Sequence, residues 1–480
     1  QDVYGRSVSF TYDSDSNLLE LQVGDEENDG NFCANGVVDA ERNETPKLAE
    51  VKHVHRNLVV SWPENSFPSI GDCVSGSISV ELWNRFSFTA SGIFAAEYEL
   101  LENGVSVAKG TLEWPSVEPL SRKKVKLPKI TLNPKEGAEY FVNVSFRMKK
   151  DALWAKKGHL VARDQLPVGM LFLSKHEAAK RGNVAIKPCS DGFSVKAGSL
   201  YARFNRATGT ISFLSMNGRT ILSDSEDGIV RGPRLTCMRA LTDNDKWLRK
   251  ELYASGLTQL RYHVRKVEVL EERSAIRALV EVNGAKSAGF LHEAEYEFSD
   301  EGEMVIRNIV KPFGKMPSAL PRLGLSLMLS PGLETMEWYG RGPHENYIDR
   351  CSSAFFGSWR STVTDQYVPY CRPQDNGFKC GVRWATFTDG EGRGVRVKGS
   401  EPLFVQALHY SWEDLEFARH RDRQERIFNI KPPRAETCLN LDVRQLGLGG
   451  ASCGPIPEPE FIFPIVETSW NVTFSAEKEL

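Results

Sequence analysis

The chain of 480 residues is short of several things, and each shortage removes a class of function. No apolar run approaches the ~18 residues that a membrane-spanning helix requires, so no such span is expected. Charge of either sign is in little excess: 60 basic against 63 acidic residues leaves a net −3. Neither nucleic acid nor an anionic membrane surface is therefore an expected partner. Nine cysteines are scattered from Cys33 to Cys453 without a C-x-x-C pair, which argues against a zinc site and against a disulfide framework. Reduced thiols and a cytoplasmic location are the expectation. Three N-x-S/T sequons, at Asn43, Asn143 and Asn471, weigh lightly against it. No G-x-S-x-G, phosphate loop or metal-binding cluster is present. The chain opens Gln1-Asp2-Val3 with neither an initiator Met nor a signal-peptide pattern, and reads as a fragment or processed chain.

Helical periodicity is scarce as well. His176–Lys180 is brief. Ser411-Trp412-Glu413-Asp414 predicts one short helix reaching Arg419, with Ser411 as N-cap and acids in the first turn. What fills the chain instead is alternation of period two. Ile78, Val80 and Leu82 alternate with polar residues, and Tyr98 and Leu100 lead into a Glu102-Asn103-Gly104 turn. Val280 and Val282 run into Asn283-Gly284, and Tyr296 and Phe298 precede Asp300-Glu301-Gly302. A strand-like Arg383–Thr388 ends at Asp389-Gly390. Short strands with turns every ~8–12 residues predict an all-β fold of sandwiches or barrels. The basic run Arg122-Lys123-Lys124-Val125-Lys126, without interleaved aromatics, reads as a solvated loop.

Four stretches follow. Residues 1–50 are too polar for a core of their own. Residues 51–170 have the length of one immunoglobulin-like β-sandwich. Residues 171–189 read as a linker, and residues 190–480 as one large β-domain.

Several strings are long enough to carry a resemblance. Phe32-Cys33-Ala34-Asn35-Gly36, then Pro46 and Glu50-Val51-Lys52, lie near the start. Trp154-Ala155, Gly158-His159, Ala162 and Gln165 follow, then Arg239-Ala240-Leu241-Thr242-Asp243-Asn244-Asp245. The longest runs from Trp338 through Gly340-Arg341-Gly342-Pro343-His344-Glu345-Asn346-Tyr347 to Arg350. Tyr367–Tyr370, Arg372–Gly377, Arg383-Trp384, His409-Tyr410-Ser411 and Gly447–Gly450 with Ser452–Pro455 complete the set. In type and order they resemble the C-terminal region of glycoside hydrolase family 2 β-galactosidases.

The resemblance implies an immunoglobulin-like fourth domain and a fifth domain that is a large supersandwich, like galactose mutarotase. It implies hydrolysis of terminal β-D-galactosides with retention, which needs two carboxyls ~5–5.5 Å apart. In the family both are glutamates on barrel strands that precede the Phe32 segment. Too few residues stand before Phe32 here for a barrel of ~250 residues. No catalytic residue is therefore expected in this chain, and the magnesium ion expected of the family belongs to the missing barrel. The barrel is expected in the same polypeptide or in a separate large subunit, and a homo-oligomer is possible by analogy.

Asn35 matches the family residue beside bound galactose. Its side-chain oxygen and the carbonyl of Phe32 match two donors to a sodium ion, and both are hard oxygen ligands. Read without the family, Asn35-Gly36 is a turn. Cys453 stands where one branch of the family stacks a Trp on the sugar, so that aromatic platform is lost; the cysteine either lines the pocket rim or is a plain loop residue in a Gly-rich stretch. Arg239–Asp245 resembles a family loop near the site mouth, and Trp247, close to a family glycine, is expected to restrict that loop's mobility; the alternative is that the acidic pair is a simple solvated turn. His344-Glu345-Asn346 is expected to bond backbone around a turn rather than to catalyse. Two other classes remain open: a non-catalytic carbohydrate-binding or small-subunit module, and a true mutarotase, for which no His–Glu pair can be assigned.

Overall fold

The computed structural model describes residues 8–12, 18–23, 36–169 and 183–477, apart from 40, 65, 67, 77, 130, 225, 226, 287, 371 and 419–429. Phe32, Cys33, Asn35, His176–Lys180 and His420 lie outside the described residues.

The first part is built on strands β1 (Val8–Tyr12), β2 (Leu18–Val23), β3 (Leu58–Ser61), β4 (Ser79–Asn84), β5 (Phe94–Glu102), β6 (Val105–Leu112), β7 (Ser121–Lys126), β8 (Tyr140–Met148) and β9 (Leu160–Val168). Strands β1 and β2 pair as a hairpin. The other seven form two antiparallel sheets, in the orders β3-β4-β7 and β6-β5-β8-β9. Alternation explains how they pack. Val80 and Leu82 on β4 and Val142, Val144 and Phe146 on β8 are buried, while the residues between them are half-exposed. The two inner faces share one core running from Leu58 to Val168.

The basic run is not a loop. Arg122–Lys126 lies within β7, which pairs with β4 at the edge of the three-stranded sheet. Only Val125 points inward; Arg122, Lys123, Lys124 and Lys126 are exposed. Charge on an edge strand discourages pairing with another chain, so the composition that reads as a loop also suits an edge.

The second part begins with a five-stranded meander: β10 (Val184–Cys189), β11 (Gly192–Ala197), β12 (Leu200–Asn205), β13 (Thr210–Met216) and β14 (Arg219–Leu222). Then come β15 (Arg234–Thr236), β16 (Arg261–Leu270), β17 (Ala275–Asn283), β18 (Ala288–Phe298), β19 (Met304–Gly314), β20 (Arg322–Leu329) and β21 (Thr335–Gly342). The remainder are β22 (Phe355–Thr362), β23 (Lys379–Thr388), β24 (Gly394–Leu408), β25 (Thr437–Gln445) and β26 (Thr468–Ala476). Strands β15–β26 make one twelve-stranded antiparallel sheet with a path β15-β20-β25-β24-β26-β19-β18-β17-β16, while β21–β23 branch from β24. A continuous core from Phe193 to Phe474 joins this sheet to the meander. The all-β expectation is borne out.

The helices are few and short. Helices α1 (Pro46–Val54), α2 (Ile70–Ser75), α3 (Lys246–Ser255) and α4 (Trp412–Ala418) are the α-helices among the described residues. At α4 the Ser411 hydroxyl accepts from the Asp414 amide, and the Asp414 carboxylate accepts from the Ser411 amide, as the capping pattern required. No helix among the described residues is long and apolar enough to cross a membrane.

Directed contacts join the two parts. Asn103 and Gly104 both have positive φ (47° and 82°), which makes the β5–β6 connection a type I′ turn. Gly104 accepts from the Ser358 amide at 3.1 Å, and a Cβ on it would fall 2.5 Å from that nitrogen, so only glycine fits. Gln165 accepts from the Phe356 amide at 2.7 Å and donates to its carbonyl at 2.8 Å. Arg383 forks onto Glu139 with two bonds of 2.8 Å. From α1, Glu50 accepts from the amides of Ser352 and Ser353 and from the Ser353 hydroxyl.

Candidate functional site

Gly447–Pro455 connects β25 to the last part of the chain and carries Cys453. It is held from several sides. The Gly449 amide donates to Asp349 Oδ2 at 2.8 Å, and the Gly449 carbonyl accepts from Asn244 Nδ2 at 2.7 Å. The other end of the same amide, Asn244 Oδ1, accepts from the Ser452 amide at 3.1 Å. Within the loop, the amides of Cys453 and Gly454 both donate to the Gly450 carbonyl. Gly449 has φ +60°, and a Cβ there would lie 2.6 Å from Pro457 N, so the turn requires glycine.

Arg239–Asp245 lies beneath this loop. The guanidinium of Arg239 pairs with Asp245 at 2.7 and 3.2 Å and also donates to the carbonyls of Leu446 and Gly447. Both side chains are 1% exposed. Burial works against the charge on Arg239, but the Asp245 carboxylate outweighs it and holds the guanidinium firmly protonated. Asp245 also caps the turn, accepting from the Thr242 amide and hydroxyl. Asp243 faces Arg372 at 2.5 Å.

The sequence expectations for this region need two corrections. The acidic pair is not a simple solvated turn, because Asp245 is buried and ion-paired. Trp247 is not in a loop: it sits in the first turn of α3, half-buried against the large core. Its bulk joins the helix to the core, and the glycine-like freedom of a mobile loop is not at issue.

Other expectations meet their geometry directly. Glu345 accepts from the Gly377 amide at 2.7 Å and the Tyr370 hydroxyl at 2.6 Å, and pairs with Arg350. Asn346 accepts from the Cys380 amide and donates to the His344 carbonyl. This is turn-bracing work. His409 bonds the Glu436 carbonyl and Glu334. Among the described residues no group of His, Cys, Asp and Glu could hold a metal ion. Cys453 is exposed on the loop, and Phe32 and Asn35 are outside the described residues.

Below the loop lies a buried polar layer that the sequence did not single out. Asp375 accepts from the Tyr347 hydroxyl at 2.8 Å and from Gln406 at 3.1 Å. Arg322 and Asp442 form an ion pair at 3.4 Å with both side chains fully buried. Burial pushes the Asp375 carboxyl up to about 6 and the Asp442 carboxyl up to about 7, the latter despite Arg322. Both values lie above the usual carboxylate range. The stability they contribute is therefore fully present below that range and is lost as pH rises through 6–7. Asp442→Asn removes the ionisation. Its melting temperature relative to the unsubstituted chain is expected to rise between pH 5 and pH 8, as read by circular dichroism. An offset that stays constant across that window contradicts the assignment.

Comparison with known proteins adds the context. Residues 196–475 match the family model described as β-galactosidase small chain, and residues 80–169 match β-galactosidase domain 4. A β-galactosidase of Priestia megaterium is 30% identical over 440 residues, covering 89% of this chain and 39% of the relative. One of Halalkalibacterium halodurans is 29% identical, covering 94% of this chain and 41% of the relative. The chain thus spans about 40% of the length of these relatives. Among solved structures, an Escherichia coli protein described as a putative aldose 1-epimerase overlaps 62% of the chain and 100% of its own, at 11% identity and a TM-score of 0.34.

Proposed function

We infer function from the premise that this chain belongs to the β-galactosidase small-chain family, whose pattern it matches over more than half its length. In this reading the chain is the C-terminal, non-catalytic part of an enzyme that hydrolyses terminal β-D-galactosides with retention. It contributes one wall of the sugar site and a docking surface for a catalytic barrel, carried by the same polypeptide or by a large subunit.

The observation that supports this is the pinned loop. Asn244 and Asp349, which come from two separate family-like strings, meet on Gly449 and fix the backbone that presents Cys453. A loop fixed in this way supplies shape to a ligand without supplying chemistry. Cys453 then lines the rim where an aromatic would stack, so acceptor binding by stacking is weak. By the family resemblance Asn35 is the proposed sugar-binding residue, and its side-chain oxygen and the Phe32 carbonyl are the proposed donors to a sodium ion.

Retention requires the paired carboxyls of a barrel. The purified 480-residue chain is therefore expected to leave nitrophenyl β-galactoside unhydrolysed. The polypeptide or subunit pair that includes the barrel is expected to turn it over, and Asn35→Ala in that assembly to lower kcat/KM by about tenfold or more. Turnover by the purified chain that vanishes on changing one of its own carboxylates overturns the reading.

A further inference from the structure

A cleft of about 570 Å³ lies where the two β parts meet. That volume falls within the ~300–1,000 Å³ of small-molecule sites. Its floor is one face of the large sheet. Tyr339 pairs with Trp384, Trp384 with Lys398, and Lys398 with Thr473 across β21, β23, β24 and β26. Two residues further along, Arg396 pairs with Ser475. Directly paired residues of antiparallel strands share a face, so this row projects into one space. The roof comes from the small sandwich, through Asn103, Gly137 and Glu139.

Floor and roof are fixed before any ligand arrives. Arg383 and Glu139 span the junction with two bonds of 2.8 Å, and the Ser358 hydroxyl donates to the Asn103 carbonyl. A site held in this way loses little conformational entropy on binding.

The lining chemistry selects the ligand class. Three cations (Arg383, Arg396, Lys398) face three carboxylates (Glu139, Glu303, Glu401), so the cleft has no net charge to attract a phosphate or an organic cation. Arg383 is engaged by Glu139, Arg396 by Glu477 and Glu401 by Arg444. Among the described residues Lys398 and Glu303 have no ion pair, leaving one set of charged donors and one charged acceptor for a ligand. Ser400 and Ser475 add hydroxyls, and the half-exposed indole of Trp384 carries the Arg396 guanidinium 4.2 Å from its ring centroid. Alternating donors and acceptors with no net charge suit a polyhydroxylated ring with polar edges.

We propose that this interdomain cleft, floored by Trp384, Lys398 and Ser475 and roofed by Asn103 and Glu139, binds a short neutral saccharide. The proposal goes beyond the function given above and does not depend on it, since no lining residue belongs to Gly447–Pro455 or to Arg239–Asp245.

Ligand-observed NMR titration of the whole chain with lactose and with maltose tests it. Sodium sulfate and choline chloride serve as charged competitors. Saturable binding of at least one disaccharide is expected, unaffected by either salt at equal concentration. Lys398→Ala removes the free donor, and Ser475→Trp fills the cleft. Each is expected to weaken binding about tenfold, with the melting temperature showing that each variant is folded. No saturable binding by the unsubstituted chain, binding unchanged in both folded variants, or displacement by sulfate each overturns the proposal. None of these outcomes bears on hydrolysis by the barrel-containing assembly, so the two readings fail separately.

Discussion

Arg239→Ala is expected to cost the large β-domain about 3–5 kcal/mol, the range found when one partner of a buried ion pair is removed. The reason is the company the guanidinium keeps. It is 1% exposed, forks onto an equally buried Asp245 and donates to the carbonyls of Leu446 and Gly447. Removing it strands a carboxylate and two carbonyls out of water. Because those carbonyls open the loop that carries Cys453, the loss should also be read there. The midpoint of urea unfolding is expected to fall, and the amide hydrogens of Gly449 and Ser452, which donate to Asp349 and Asn244, to exchange faster at urea concentrations where the domain is still folded. The double variant Arg239→Met with Asp245→Leu leaves no stranded charge and is expected to recover the share of the loss due to the carboxylate, but neither the share due to the two carbonyls nor the slow exchange. Equal stability of Arg239→Ala and the unsubstituted chain contradicts this account.

The triple variant Glu50→Ala, Glu139→Ala, Gln165→Ala is expected to uncouple the two β parts, so that scanning calorimetry resolves two transitions. Each substitution removes a directed contact between parts that have separate cores, one from Leu58 to Val168 and one from Phe193 to Phe474. Glu139→Ala leaves the guanidinium of Arg383, only 15% exposed, without its carboxylate. Gln165→Ala strands the amide and carbonyl of Phe356, and Glu50→Ala does the same to the amide and hydroxyl of Ser353. A stranded buried polar group costs about 1–3 kcal/mol, so the sum is comparable with the whole stability of a domain. The stacked pair Phe141–Phe356, with ring centroids 5.0 Å apart, the bonds of Ser358 to Gly104 and Asn103, the Arg163–Ser353 bond and the His53–Phe355 edge contact remain, and on their own give a contact of the weaker interdomain kind. A single transition, merely shifted, shows that the remaining contacts suffice. Uncoupling should also open the cleft proposed to bind saccharide, since Glu139 is part of its roof.

Features set by near neighbours were legible in the sequence by itself. Period-two alternation placed the inward faces of β4, β17 and β18, and Glu102-Asn103-Gly104 marked a turn, which the two positive φ angles of Asn103 and Gly104 make type I′. The Ser411–Asp414 cap was equally readable, since both partners lie within one helical turn. The family-like strings located the loop at Gly447–Pro455 and the segment Arg239–Asp245, but not what they do to each other.

Only the tertiary structure decided those relations. Asn244 reaches Ser452 and Gly449, Asp349 reaches Gly449, and Glu50 reaches Ser353. Whether Asp245 is solvated or buried depends on Arg239 and on a loop some 200 residues later in the chain. The same holds for Asp442, an ordinary carboxylate in the sequence, whose proton is held more tightly because the sheet buries it, against the opposing pull of the Arg322 guanidinium. The basic run of β7 shows the limit most simply. Four charges around one valine fit a loop or a sheet edge equally well, and only the position of β4 selects the edge. Local geometry is written in adjacent residues, whereas the burial of a charge is a property of everything that folds around it.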